Sequence, residues 1–188
     1  MGTLGPNSGS TFADDATVGS IAITNPSNAS LSDNSYATAV LALTQVSHYL
    51  KATDFRFTVP LDATVNGITV EIERSTTVVA SLVDNSVKIV KGGTIGGTEK
   101  AAGGNWPNAD AYASYGSASD LWGQAWTPVD INASNFGVAI SAIASLLAGT
   151  GQIDHVRITV DYVGSNRSGS DIRRLKVGDG QSRNDFAS

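Results

Sequence analysis

The chain has 188 residues, no cysteine and a formal net charge of −5. That length suits one domain with extensions, and the missing cysteines exclude a disulfide framework, a thiolate metal site and a cysteine nucleophile. Charged residues make up only 15% against 20 glycines and abundant Ser, Thr and Ala, which favours strands and tight turns over helices and gives nucleic acid no electrostatic foothold.

Charge is unevenly placed. From Gly164 onward lie five of the twelve basic side chains (Arg167, Arg173, Arg174, Lys176, Arg183) and three of the seventeen acids (Asp171, Asp179, Asp185), a surplus of +2. The seven bases and fourteen acids left in residues 1–163 give −7.

In chain order, residues 1–34 are rich in Gly, Ser, Asn, Asp and Thr, with one short apolar alternation at Val18, Ile21 and Ile23. Alone they bury too little to offset their ordering entropy, so an extended N-terminal arm docked on a partner is expected. The first residues lack the basic start and apolar stretch of a secretory signal, and no apolar run approaches the ~18 residues of a transmembrane helix. Cytoplasmic synthesis and no membrane partner are expected.

Residues 35–163 read as a β-sandwich domain. Tyr36 to Val46 is a strand with both faces apolar. Phe55 to Val59 alternates until Pro60 stops it. Ile68, Val70 and Ile72 then face one way and Thr69, Glu71 and Glu73 the other, the pattern of a half-buried strand. Val78–Val83 and Val87–Val90 suggest a hairpin turning at Asp84-Asn85-Ser86, followed by a glycine-rich excursion over 92–107. Thr127-Pro128-Val129-Asp130 fits a capping box with proline at the first helical position, which predicts one short helix near 128–133. Phe136, Val138 and Ile140 alternate again. In the last strand Val156, Ile158, Val160 and Tyr162 oppose His155, Arg157, Thr159 and Asp161. About eight strands with two longer connections predict an all-β protein, an antiparallel, jelly-roll-like sandwich.

No catalytic, cofactor-binding or metal-binding set emerges, and an enzyme is not expected. His48 and His155 are the only histidines, and neither has the context of an activated nucleophile. Glu71 and Glu73 lie ~7 Å apart along a strand, within the range of an inverting glycosidase pair, but lack aromatic neighbours and read as a solvated face. GGTIGG lacks the phosphate-loop spacing, and Asp179 to Asp185 lacks the calcium-loop spacing.

The densest stretch is residues 114–138, with Trp106 and Tyr112 just before it. Trp106, Tyr112, Tyr115, Trp122 and Trp126 suit a sugar platform, with Asn105, Asp120 and Gln124 binding hydroxyls. They equally suit a packed corner, because Trp122, Trp126 and Phe136 surround the capped turn and large rings bury much area. The corner is the favoured reading.

The segments YLKATDFRFTVPLDATVNGITVEIER, SVKIVKGGTIGGTEKAAGGNWP, YGSASDLWGQAWTPVDINASNFGVAI and IDHVRITVDYV together resemble a β-sandwich domain of tailed-bacteriophage virion proteins. The likeness spans about residues 36–163 and implies a non-enzymatic structural protein, made in the host cytoplasm and located in the virion. A capsid decoration, or cement, protein is the leading expectation, binding the major capsid or another virion protein and forming a homo-oligomer such as a trimer. A tail or neck adaptor is the alternative, and a carbohydrate-binding module using 106–126 the second. Residues 164–188 are expected to form an extended basic arm, with Ile172, Arg173, Arg174, Leu175, Lys176 and Phe186 as candidate partner-binding side chains.

Overall fold

The computed structural model describes residues 1–164. The elements in chain order are β1 (Gly2–Ser8), β2 (Thr11–Asp15), β3 (Ala37–Leu41), β4 (Tyr49–Thr53) and β5 (Thr64–Thr76). They continue with β6 (Leu82–Lys91), β7 (Thr94–Gly96), β8 (Ala111–Ser117), α1 (Pro128–Asn132), β9 (Gly137–Ala144) and β10 (Gly149–Val163). One sheet runs β1-β10-β5-β8, with β3 also paired to β10; the other runs β2-β4-β9-β6-β7. Every ladder is antiparallel. Without β1 and β2, the orders β3-β10-β5-β8 and β4-β9-β6-β7 are those of an eight-stranded jelly roll. The chain is an antiparallel β-sandwich.

Alternation builds the core. Ile68, Val70 and Ile72 of β5 lie opposite Val160, Ile158 and Val156 of β10, all buried. Leu50, Ala52, Val87, Ile89, Val138 and Ile140 meet them from the other sheet. Each fully buried branched side chain contributes about 1.5–3 kcal/mol relative to exposure. Phe55, Phe57 and Val59 alternate inward as expected but pair with no strand. The Asn132 amide, at the end of α1, serves Val59 instead: its carbonyl accepts from the Val59 N–H at 2.8 Å and its NH2 donates to the Val59 carbonyl at 2.8 Å. Both backbone polar groups of Val59 are thereby satisfied without a ladder.

Three expectations are corrected. Residues 1–34 are not an extended arm, and the sandwich begins at Gly2 rather than residue 35. β1 pairs with β10 from Gly2↔Tyr162 to Ser8↔Arg157, and β2 pairs with β4 from Thr11↔Thr53 to Asp15↔Tyr49. These edge strands are held by ladder hydrogen bonds and need few apolar residues; Leu4 and Phe12 are their contribution to the core. Second, β3 is only five residues with one buried face: Ala37, Ala39 and Leu41 point in, and Thr38 and the exposed Val40 point out. Third, no hairpin turns at Asp84-Asn85-Ser86. β6 runs straight through with a bulge between Asp84 and Ser86, since the Asp84 side chain is drawn into the interior.

The capping box is present as read. The Thr127 hydroxyl accepts from the Asp130 N–H at 3.2 Å, and the Asp130 carboxylate accepts from the Thr127 N–H at 2.9 Å. The C-terminal segment from residue 165, with Ile172, Arg173, Arg174, Leu175, Lys176 and Phe186, lies outside the described residues.

Candidate functional site

The aromatic corner forms where β8 leaves its sheet. Trp122 adopts a left-handed backbone conformation, φ 57°, held by its N–H donating to the Asp120 carboxylate at 2.8 Å. Its side chain is 0% exposed, and its indole N–H donates to the Ile68 carbonyl at 2.9 Å. Gly116 makes this approach feasible, since a Cβ there would sit 2.6 Å from the Trp122 indole nitrogen. Trp126 is half-buried, edge-on to Phe136 at 5.3 Å. Its indole N–H donates to the Leu121 carbonyl at 2.9 Å, and the Lys91 ammonium lies 5.2 Å from its ring centre.

Trp106 and Tyr115, 2% and 3% exposed, converge on the buried Asp84 carboxylate. The Trp106 indole N–H and the Tyr115 hydroxyl donate to its two oxygens at 2.8 and 2.9 Å, and the Ala102 N–H adds a third bond at 2.9 Å. Buried Arg74 donates through Nε to the Tyr115 oxygen at 3.1 Å, lies 3.6 Å from Asp84 and stands over the Trp106 ring at 4.9 Å. Burial, and next the Asp84 charge, push the Tyr115 hydroxyl well above its ordinary range. These geometries overturn the sugar platform at Trp106, Tyr115 and Trp122: their faces are in the core and their polar atoms are taken. The packed-corner reading holds for them.

Tyr112 is the member of the cluster that faces out, at 36% exposure. It stands on the open side of the β10 sheet, where cross-strand register builds three rows. His155, Glu73 and Tyr112 form the first, Arg157, Glu71 and Ser114 the second, and Thr159, Thr69 and Gly116 the third. Arg157 donates through Nε and Nη2 to the two Glu71 oxygens at 3.0 and 3.1 Å, a bidentate fork, and its guanidinium lies 4.0 Å from the Tyr112 ring centre. The Glu71 bond keeps Arg157 above its usual value. Both Glu71 oxygens are thus held in a cross-strand salt bridge, with the Glu71 side chain 25% exposed.

His155 closes the row. It shares hydrogen bonds with the Tyr112 hydroxyl at 2.7 Å through Nδ1 and with the Ser8 hydroxyl at 2.8 Å through Nε2. Burial, reinforced by the nearby Arg157 charge, holds it below its ordinary value. Asp154 sits at the β10 bulge and accepts from the Asn34 N–H at 3.1 Å. Its other oxygen is buried without a partner, as is one of Glu73, and burial raises the Asp154 carboxyl. Beyond it the Tyr36 hydroxyl donates to Asp110 at 2.8 Å, which, with burial, pushes Tyr36 up to about 12.

Two further features stand apart. A groove of about 350 Å³ beside β7 is lined by Ile89, Lys91, Thr94, Gln124 and Asp130, with Gly92 of the β6–β7 turn and Gly96 of β7. Its Lys91 is engaged by Asp130 at 3.2 Å and the Ala125 carbonyl at 2.6 Å. At one end of the sandwich three loops meet, through Thr44 N–H to Ala144 carbonyl at 2.8 Å, Ser145 to Ser81 at 2.9 Å and Thr77 to Thr150 at 3.1 Å. They expose Leu43, Val78, Val79, Leu146 and Leu147, and Val40 of β3, paired with Thr150, is exposed beside them. Among the described residues, no group of three or more His, Asp and Glu is placed to hold a metal ion, and no helix is long and apolar enough to cross a membrane.

Fold and surfaces together define a jelly-roll β-sandwich. No family model matches the chain, and no curated protein matches it. A solved structure described as "BiXyn10A CBM1 APO" is similar at 10% identity, covering 81% of this chain and 99% of that one, with a TM-score of 0.37. That likeness is too loose to carry a ligand or a role across.

Proposed function

We propose that the chain is a non-enzymatic structural subunit of a tailed-bacteriophage particle, and within it a capsid decoration protein that grips neighbouring capsid subunits. The observation that carries this reading is the aliphatic end. Residues 40–46, 77–81 and 144–150 hold no charged side chain, although residues 1–163 carry −7. Six exposed Val and Leu side chains gathered there suit burial against another protein, as contiguous apolar patches do. The resemblance of residues 36–163 to virion sandwich domains supports the particle as the setting. With β1 and β2 paired into the sheets, contact by the aliphatic end replaces contact by an N-terminal arm.

The test is rebinding of purified chain to particles that lack it. Leu146→Asp with Leu147→Asp, both exposed and so tolerated by the fold, should lower occupancy by at least about tenfold at the wild-type midpoint concentration. Full occupancy by the double variant would overturn the reading. Electron microscopy of wild-type chain on particles separates a shell position from the tail or neck alternative.

A further inference from the structure

We propose that the open face of the β10 sheet, centred on Tyr112, Arg157 and Glu71, is a binding site for a neutral polysaccharide. The site is independent of whatever the aliphatic end contacts.

The face is a pre-ordered platform. Its rows are about 6.6 Å apart along the strands, and the strands about 4.8 Å apart, so β10, β5 and β8 offer a surface wide enough for several sugar rings. The fork to Glu71 uses two of the five N–H donors of Arg157. The other three find no acceptor among the described residues, and the Arg157 and Glu71 side chains remain 29% and 25% exposed. A rigid guanidinium–carboxylate plane places donors and acceptors side by side, as adjacent sugar hydroxyls require. Because Glu71 and Tyr112 already hold Arg157, little side-chain entropy is lost on binding.

Tyr112 supplies the apolar element. Arg157 covers one side of its ring and His155 holds its hydroxyl, so its exposed remainder is fixed in place for the C–H side of a sugar. Ser114 is exposed, and Thr69 and Thr159 are half-buried, so only short side chains extend along the rows beyond Tyr112.

Local charge decides the ligand class. Glu71 neutralises Arg157, and Glu73, Asp110 and Asp154 lie on the same side. This negative surround opposes nucleic acid, sulfated sugars and uronic acids. The groove beside β7 is the weaker candidate, because its Lys91 and Asp130 are occupied by each other.

Affinity electrophoresis of the full chain through gels containing glucan, xylan, mannan, galactan or polygalacturonate tests the site. At least one neutral polymer should retard the wild type. Tyr112→Ala and Ser114→Arg should each weaken that retardation by at least about tenfold. Ser114→Arg fills the platform from an exposed position, so its loss of binding at an unchanged unfolding midpoint isolates the site even if Tyr112→Ala is unstable. No retardation by any neutral polymer, stronger retardation by polygalacturonate, or full retention by Ser114→Arg would each overturn the proposal.

Discussion

Tyr112 and Tyr115 stand three residues apart on β8 and belong to opposite environments. Tyr115 turns inward and joins Asp84, Arg74 and Trp106 in a buried polar network; Tyr112 turns outward and joins Arg157 and His155 on open sheet. Both hydroxyls are hydrogen-bonded and both rings meet a guanidinium-bearing network, so chemistry alone does not separate them. Burial does. Inside, every partner lost leaves a polar group stranded away from water; outside, solvent reaches the Tyr112 ring and the Arg157–Glu71 fork, and only His155 beside them is buried.

The contrast should be largest at Asp84. Asp84→Ala strands Arg74 and removes the acceptor of Trp106 and Tyr115, so urea unfolding should show a loss of about 3–5 kcal/mol. Replacing one hydroxyl should cost less and discriminate better. Tyr115→Phe takes a bond from both Arg74 Nε and an Asp84 oxygen, about 1–3 kcal/mol, whereas Tyr112→Phe takes only the His155 Nδ1 bond beside solvent and should cost at most about 1 kcal/mol. Equal losses in these two variants would erase the distinction between inner and outer faces.

The smallest effect concerns pH. The folded His155 pKa lies below the ordinary value of 6.5. As pH falls from about 7, the unfolded chain takes up this proton first, so stability declines until the folded imidazole also titrates. His155→Gln should flatten that acid-side decline in unfolding midpoints measured between about pH 7.5 and 5. Asp154, raised by burial, acts in the opposite sense. It holds its proton longer folded than unfolded, so its contribution is lost as pH rises past the ordinary carboxylate range. Comparing variant with wild type at each pH leaves that contribution on both sides.

Strands with strict alternation were legible in the sequence. The inward Ile68-Val70-Ile72 and Val156-Ile158-Val160 rows could be read directly, as could the Thr127–Asp130 cap. β1 and β2 were hidden because an edge strand is specified by backbone pairing, and Gly2 to Asp15 show few apolar side chains. Asp84 misled for the opposite reason: a polar residue in mid-strand looked like a turn because its buried partners, Tyr115 and Trp106, lie 31 and 22 residues away. The candidate site was half visible. Tyr112 was in view among the aromatics, but Arg157 reaches it only across β5, through a register no local pattern reports.

β10 holds β1, β3 and β5 together, and among the described residues it is the last of ten strands in chain order. Its pairing with β1 joins residues more than 140 positions apart, from Ser8↔Arg157 to Gly2↔Tyr162. During synthesis, then, β1 must wait with its ladder groups unpaired until β10 has left the ribosome. Such long-range pairing folds slowly. A chain cut short of residue 149 lacks the strand that β1, β3 and β5 all pair with, so it should show no cooperative unfolding transition.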